Sequence, residues 1–376
     1  MKKKTKLIHG GTPQDKQTGG VNFPIHLSST FKQQSVGQFE YEYARTANPT
    51  RQALETFIAE LEDGVAGFAF SSGMAAITTI LKLFSPGDHL LVSNDVYGGT
   101  YRLFVRVLQK EGIQADFVDT TKIAEVEKAI KPETKAIFLE TPTNPLLSIT
   151  DIRAISQLSK AYSLYTIVDN TFSTPYWQNP LTLGADVVIH SATKYLGGHS
   201  DVLAGLAVTS SHEMSEQIAF LQNSIGAVLG AQDSWLLIRG MRTLGIRMEE
   251  IEKTSLQVAE FLEQHSSVQQ VYYPGLPTHP GHDIHTSQAK GYSGIITFES
   301  GNAEKAANVA ASLTYFTLAE SLGAIESLVS IPARMTHASI PAERRNQLGI
   351  TDGLVRLSIG LEDSTDLIED LNKALS

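Results

Sequence analysis

Lys194 closes the stretch Ser191-Ala192-Thr193-Lys194, directly after the run Asp186-Val187-Val188-Ile189-His190 and just before the chain-breaking Leu196-Gly197-Gly198. A lysine at such a strand-to-loop junction lies near low-dielectric surroundings, which disfavour the ammonium and bring the neutral, nucleophilic amine within easier reach. Ser191 and Thr193 flank it with hydroxyls that can hold an anion. Upstream, Thr166-Ile167-Val168-Asp169 is another short apolar strand, and it ends in a carboxylate. An amine for a Schiff base, a carboxylate for a pyridinium nitrogen and hydroxyls for a phosphate are together what pyridoxal phosphate needs from a protein. Lys194 alone reads better as a surface lysine after a strand; the combination with Asp169 and with the loops below favours the cofactor.

These groups need a frame. Short apolar runs alternate with segments of helical length from about residue 50 to residue 210. The strand candidates are Val65–Phe70, His89–Val92, Ala115–Val118, Ala136–Leu139, Tyr165–Val168, Val187–Ile189 and Leu203–Val208. Between them Met74–Phe84, Thr100–Glu111, Ile123–Ile130 and Ile152–Tyr162 have helical spacing. Alternation of this kind predicts an α/β fold around a mostly parallel sheet with helices on both faces, and such sheets bind ligands beyond the carboxyl ends of their strands. Ser71-Ser72-Gly73, Tyr97-Gly98-Gly99, Asn144, Asp169 and Lys194 all fall at those ends. Residues 1–45 show little periodicity and read as an arm, ordered against another subunit. Residues 46–240 form the large α/β domain. Residues 241–376 form a smaller α+β domain, with a helix over Leu244–His265, strands near Gly294–Phe298 and Leu354–Ile359, and a closing helix over Asp363–Leu375.

Ser72-Gly73-Met74 joins a strand to a helix whose first amides point outward and can bind phosphate; a plain Ser N-cap explains the same residues. Tyr97 before two glycines can stack on a flat ring or simply pack. Arg45, beside Tyr43 and Asn48-Pro49-Thr50-Arg51, can fork onto a phosphate or sit solvated. His279, His282 and His285 are spaced by three, but Pro280 and Gly281 interrupt them and no carboxylate shell completes a site beyond Asp283, so a surface loop is preferred and no metal is expected. There is no G-x-G-x-x-G, no Gly-Lys pair and no H-E-x-x-H.

Composition limits the alternatives. The 376 residues carry 40 acidic and 30 basic side chains, a net charge of −10, which argues against nucleic acid or an anionic membrane as partner. No apolar run is long enough to span a bilayer, and there is no hydrophobic signal core. With no cysteine, disulfides, thiolate metal sites and a cysteine nucleophile are excluded. A cytoplasmic enzyme is expected.

Tyr43-Ala44-Arg45, Ser72-Gly73-Met74-Ala75-Ala76, Tyr97-Gly98-Gly99-Thr100, Glu140-Thr141-Pro142-Thr143-Asn144-Pro145, Val168-Asp169-Asn170-Thr171 and Ser191-Ala192-Thr193-Lys194-Tyr195 resemble, in matching order, motifs of the Cys/Met-metabolism family of pyridoxal-phosphate enzymes. That family includes the cystathionine γ- and β-lyases, cystathionine γ-synthase and methionine γ-lyase. The resemblance implies the fold type I, aspartate aminotransferase-like architecture and a homotetramer built as two dimers. It implies that Lys194 forms the Schiff base and shuttles protons, that Asp169 partners the ring nitrogen and that Tyr97 stacks on the ring. Gly73, Met74, Ser191 and Thr193 would form the phosphate cup, with Thr171 also near the cofactor. Tyr43 and Arg45 would complete the neighbouring subunit's phosphate site. Asn144 would lie near the ring hydroxyl and the substrate, and Arg356 would clamp the substrate α-carboxylate. Glu320, Ser321 and Arg102 would meet the rest of an amino-acid substrate. The run Tyr97-Gly98-Gly99-Thr100-Tyr101-Arg102 has glycine where methionine γ-lyases typically carry a cysteine, and Ala324 stands where the family usually has a second glycine. The activity implied is cleavage of cystathionine to cysteine, 2-oxobutanoate and ammonia, with β-cleavage as a side reaction. Joining cysteine to an O-acylhomoserine and β-lyase activity are alternatives, and a non-catalytic cofactor-bound regulator is a remote one.

Overall fold

A computed structural model of the chain describes residues 1–11, 15 and 17–376. Seven strands form the main sheet: β1 (Ala66–Phe70), β2 (His89–Ser93), β3 (Gln114–Val118), β4 (Thr134–Glu140), β5 (Tyr165–Asp169), β6 (Val187–Ser191) and β7 (Gly205–Thr209). Their order is β1-β7-β6-β5-β4-β2-β3. Neighbours pair in parallel except β7, which runs antiparallel to both β1 and β6.

The inner strands are apolar throughout because both faces are covered. In β4, Ala136 and Phe138 join the core with Ile77, Ile80, Phe104 and Met214, while Ile137 and Leu139 point the other way, onto Ile152 and Ile155. Helices therefore flank both faces, as expected.

Helix starts are locally encoded. Asn48, extended before Pro49, accepts from Thr50 N (2.9 Å) and Arg51 N (3.2 Å) and so caps the helix Pro49–Glu62. Ser72 Oγ accepts from Ala75 N (3.0 Å) at the head of Gly73–Leu81.

Five further strands make a second sheet: β8 (Gln270–Tyr272), β9 (Ile295–Glu299), β10 (Thr317–Leu318), β11 (Leu328–Ser330) and β12 (Leu354–Ser358), in the order β10-β11-β12-β9-β8. The helix Leu244–Gln264 bridges the two parts. Its Leu244, Met248 and Ile251 enter the core beside the main sheet, whereas Val258 and Leu262 enter the core under β9 and β12.

Two expectations change. Within the arm read over residues 1–45, Lys3–His9 form a helix held by the same chain. Leu7 is buried in the core, and Lys3 Nζ donates to Leu61 O (2.8 Å) and Asn179 Oδ1 (2.7 Å). Thr12, Pro13, Gln14 and Lys16 of that arm lie outside the described residues. Beyond them Val21, Leu27 and Val36 are exposed, without a core of their own.

The histidine segment is the second. His279 and His285 are buried, not on a surface loop, and hydrogen-bond the carbonyls of Leu147 and Gly291 (both 2.9 Å), while His282 bonds that of Pro274 (2.7 Å). A neutral imidazole satisfies a buried carbonyl and leaves no charge to solvate. Among the described residues no group of three or more His, Cys, Asp or Glu is placed to hold a metal ion.

Candidate active site

One cavity of about 350 Å³ opens where the ends of β1, β4, β5 and β6 meet the second sheet. Gly73, Met74, Tyr97, Asn144, Asp169, Thr171, Ser191, Thr193, Lys194, Glu320, Ser321 and Arg356 all line it. The structure thus brings together residues spread over most of the chain. Three named residues are elsewhere. Arg102 is exposed and does not line the cavity, contrary to expectation, because it lies a full turn into the helix Gly98–Arg106 that Tyr97 begins. Tyr43 and Arg45 also lie outside it: Arg45 Nη1 donates to Asn223 O (2.6 Å) and Oδ1 (2.8 Å), and its guanidinium sits 5.6 Å from the Tyr43 ring centre.

Arg51, unremarkable in the sequence, explains how Arg45 is presented. It is buried and donates to the carbonyls of Ala44 (2.6 Å), Arg45 (3.1 Å) and Thr46 (3.0 Å), pinning the loop so that Arg45 faces outward.

Lys194 Nζ donates to Ser321 Oγ at 2.6 Å. Burial, with the nearby Arg356 charge, pulls its pKa down to about 8, while Glu320 acts in the opposite sense. Ser321 adopts φ 94°, a conformation that costs a serine energy, and its carbonyl accepts from Arg356 Nη2 (2.8 Å). Arg356, on β12, is buried and gives Nη1 to Asn144 Oδ1 (2.9 Å); its Nε has no hydrogen-bond partner among the described residues.

Asp169 ends β5, buried. Its Oδ1 accepts from Thr171 N (3.0 Å) and Thr171 Oγ1 (2.5 Å). Burial raises its pKa and the Thr171 bonds oppose that. Thr171 Oγ1 also accepts from Ser191 N (2.8 Å), so one hydroxyl links the ends of β5 and β6. Thr193 is less free than expected: its hydroxyl accepts from Ala204 N (3.0 Å) and donates to Ala204 O (3.3 Å).

The cavity suits pyridoxal phosphate. Gly73 and Met74 are the first two residues of the helix Gly73–Leu81, ahead of its first internal bond, Ala76 N to Ser72 O (3.0 Å), so their amides have no helical partner. A Cβ on Gly73 would come within 2.9 Å of Ser191 Cβ and Oγ and fill that cup. A Cβ on Gly99 would come within 2.4 Å of the Tyr97 ring. Glycine at both positions keeps space for an anion and frees the tyrosine ring, while Lys194 and Asp169 supply the amine and the carboxylate.

Nothing in the sequence singles out Glu140, yet it is buried at the end of β4, in register with Asp169 on β5, and it lines the cavity.

Known proteins resemble this chain along its whole length. The family profile described as Cys/Met metabolism PLP-dependent enzyme matches residues 4–376. A relative from Bacillus subtilis (strain 168) named cystathionine gamma-lyase is 59% identical over 376 residues, covering 100% of this chain and 99% of the relative. One from Lactococcus lactis subsp. cremoris (strain MG1363) named cystathionine beta-lyase is 56% identical over 373 residues, covering 99% and 98%. The solved structure of a cystathionine gamma-lyase from Lactobacillus plantarum complexed with L-serine superposes with a TM-score of 0.97 at 52% identity, covering 100% of this chain and 98% of that one.

Proposed function

The chain belongs to the Cys/Met metabolism family of PLP-dependent enzymes, and on that premise we propose that it cleaves L-cystathionine at the γ-carbon to L-cysteine, 2-oxobutanoate and ammonia, with some β-cleavage beside it. The observation that carries the γ reading is Glu320, a carboxylate lining the same cavity as Lys194 and Arg356. The Arg356 fork suits the substrate α-carboxylate, which leaves Glu320 for the ammonium at the far end of a long substrate. The name of the Bacillus relative supports this reading; that of the Lactococcus relative supports β-cleavage as the second one.

Pyridoxal phosphate, when bound, supplies an electron sink for the pair released at the substrate α-carbon. The Gly73 and Met74 amides and the Ser191 hydroxyl would hold its phosphate, Tyr97 its ring face, Asp169 its ring nitrogen and Lys194 its aldehyde carbon. Arg356 then orients the substrate through two parallel bonds. Lys194 Nζ, with a pKa near 8, takes a proton from the α-carbon and delivers one along the chain. Ser321 Oγ holds that amine in place, and Phe172 and Leu322 dry the cavity wall.

Glu320→Ala should lower kcat/KM for γ-cleavage roughly fivefold, as losing a partly exposed charge pair would, and shift products toward pyruvate and homocysteine. Assays with L-cystathionine alone, then with O-acylhomoserine plus cysteine, separate lyase from synthase. An unchanged product ratio removes Glu320 from specificity.

The proposal includes a cytoplasmic homotetramer in which Tyr43 and Arg45 complete a neighbour's phosphate site. Arg45→Ala subunits mixed with Lys194→Ala subunits should then regain activity, since some sites combine two intact halves. Mixed oligomers with no recovery would leave Arg45 acting only within its own chain.

A further inference from the structure

Glu140 has a geometry of its own. Its Oε2 accepts from Tyr97 N (2.9 Å) and its Oε1 from Asn144 N (3.0 Å). These amides belong to different walls. Tyr97 begins the helix Gly98–Arg106 that follows β2, and Asn144 lies in the turn after β4, where its Oδ1 receives Arg356 and its carbonyl receives His337 Nε2 (2.8 Å). The side chain is 6% exposed and makes no ion pair within the described residues. A buried carboxyl with no cation beside it is costly unless its bonds are needed.

We infer that Glu140 is a positioning residue that ties the wall carrying Tyr97 to the wall carrying Asn144 and Arg356, so that cofactor ring and substrate carboxylate are registered by one side chain. The inference rests on the reading of this cavity as the site for pyridoxal phosphate and an amino acid. Two features support it beyond the bonds. Glu140 is the register partner of Asp169, so the clamp stands next to the group assigned to the ring nitrogen. Burial, then Asp169, push its carboxyl well above the usual range, while the two amides oppose this. The clamp survives either protonation state, since each oxygen keeps a lone pair for its amide.

Glutamine at this position preserves shape but has one acceptor oxygen, so its amide nitrogen would face a backbone N–H and leave that donor unsatisfied. The test uses full-length protein stripped of cofactor and titrated with pyridoxal phosphate. Glu140→Gln should raise the dissociation constant about tenfold, the order that one buried donor left unsatisfied costs. It should also weaken the circular dichroism that the chiral site induces in the bound cofactor and raise KM for cystathionine, with the far-ultraviolet spectrum unchanged. Glu140→Asp keeps both oxygens on a shorter arm and should fall between the two; it carries the test if the glutamine variant does not fold. A folded variant with affinity within about twofold of the parent and an unchanged cofactor band would overturn the clamp. If the parent binds cofactor yet does not cleave cystathionine, the proposed activity fails while the affinity comparison still decides Glu140.

Discussion

Lys194→Ala is expected to abolish covalent attachment of pyridoxal phosphate and to lower turnover on the order of a thousandfold or more, because one group provides both the attachment and the proton transfer. The amine is held at 2.6 Å by Ser321 Oγ, and burial brings its pKa to about 8. At pH 7 roughly one amine in ten is then neutral, against a few in ten thousand for an ordinary lysine. The sign of the pH dependence follows. Attachment to cofactor-stripped protein should speed up as pH rises and level off above about 8, whereas an ordinary lysine would go on gaining to about 10.4. Borohydride reduction followed by peptide mapping checks the residue, and stopped-flow absorbance checks the profile. A reduced label on another lysine, or a rate still climbing at the highest pH, would end the assignment.

Asp169→Ala should cost at least about a hundredfold in kcat, as removing a main electrostatic group does, while the protein still folds and still binds cofactor. The carboxylate ends a buried strand and is held by both the amide and the hydroxyl of Thr171, so its position is fixed before any ligand arrives. Without it the charge assigned to hold the ring nitrogen protonated is gone, and the electron sink weakens. Absorbance of the bound cofactor and steady-state turnover, measured on the same preparation, test this. Near-normal turnover with cofactor bound would show that the charge lies elsewhere.

Much of this frame was readable in the chain because local rules and tertiary needs coincide. The strand predicted over Ala115–Val118 is Gln114–Val118, and the helix predicted over Leu244–His265 is Leu244–Gln264. Apolar runs of four or five residues cannot span a buried helix, and capping residues such as Ser72 and Asp363 mark the starts. What was hidden depends on partners. The reversed direction of β7 leaves no trace in its own residues, since Gly205–Thr209 would be as apolar in a parallel strand. Glu140 gains meaning only through its register with Asp169 and the amides of Tyr97 and Asn144. Arg102 was assigned to the substrate by resemblance alone, and a resemblance does not reveal that its side chain is exposed on the helix Gly98–Arg106, off the cavity lining. His279 and His285 looked solvated because Pro and Gly lie near them, yet each ring bonds a carbonyl in the interior, that of Leu147 from a distant segment and that of Gly291 six residues on.

The place of β1 has a consequence for how the protein is made. Among the described residues β7 is the one strand paired with it, Ala66 to Thr209, 143 residues later, and the single bridge on its other side, Phe70 to Val228, comes later still. A chain leaving the ribosome N-terminus first therefore exposes both edges of Ala66-Gly67-Phe68-Ala69-Phe70 until more than a third of the protein has followed. The segment is apolar, uncharged and free of proline, which is the composition that recruits strands from other chains. A translational pause before Gly205 would lengthen the interval in which this strand can pair with other chains, however stable the finished sheet.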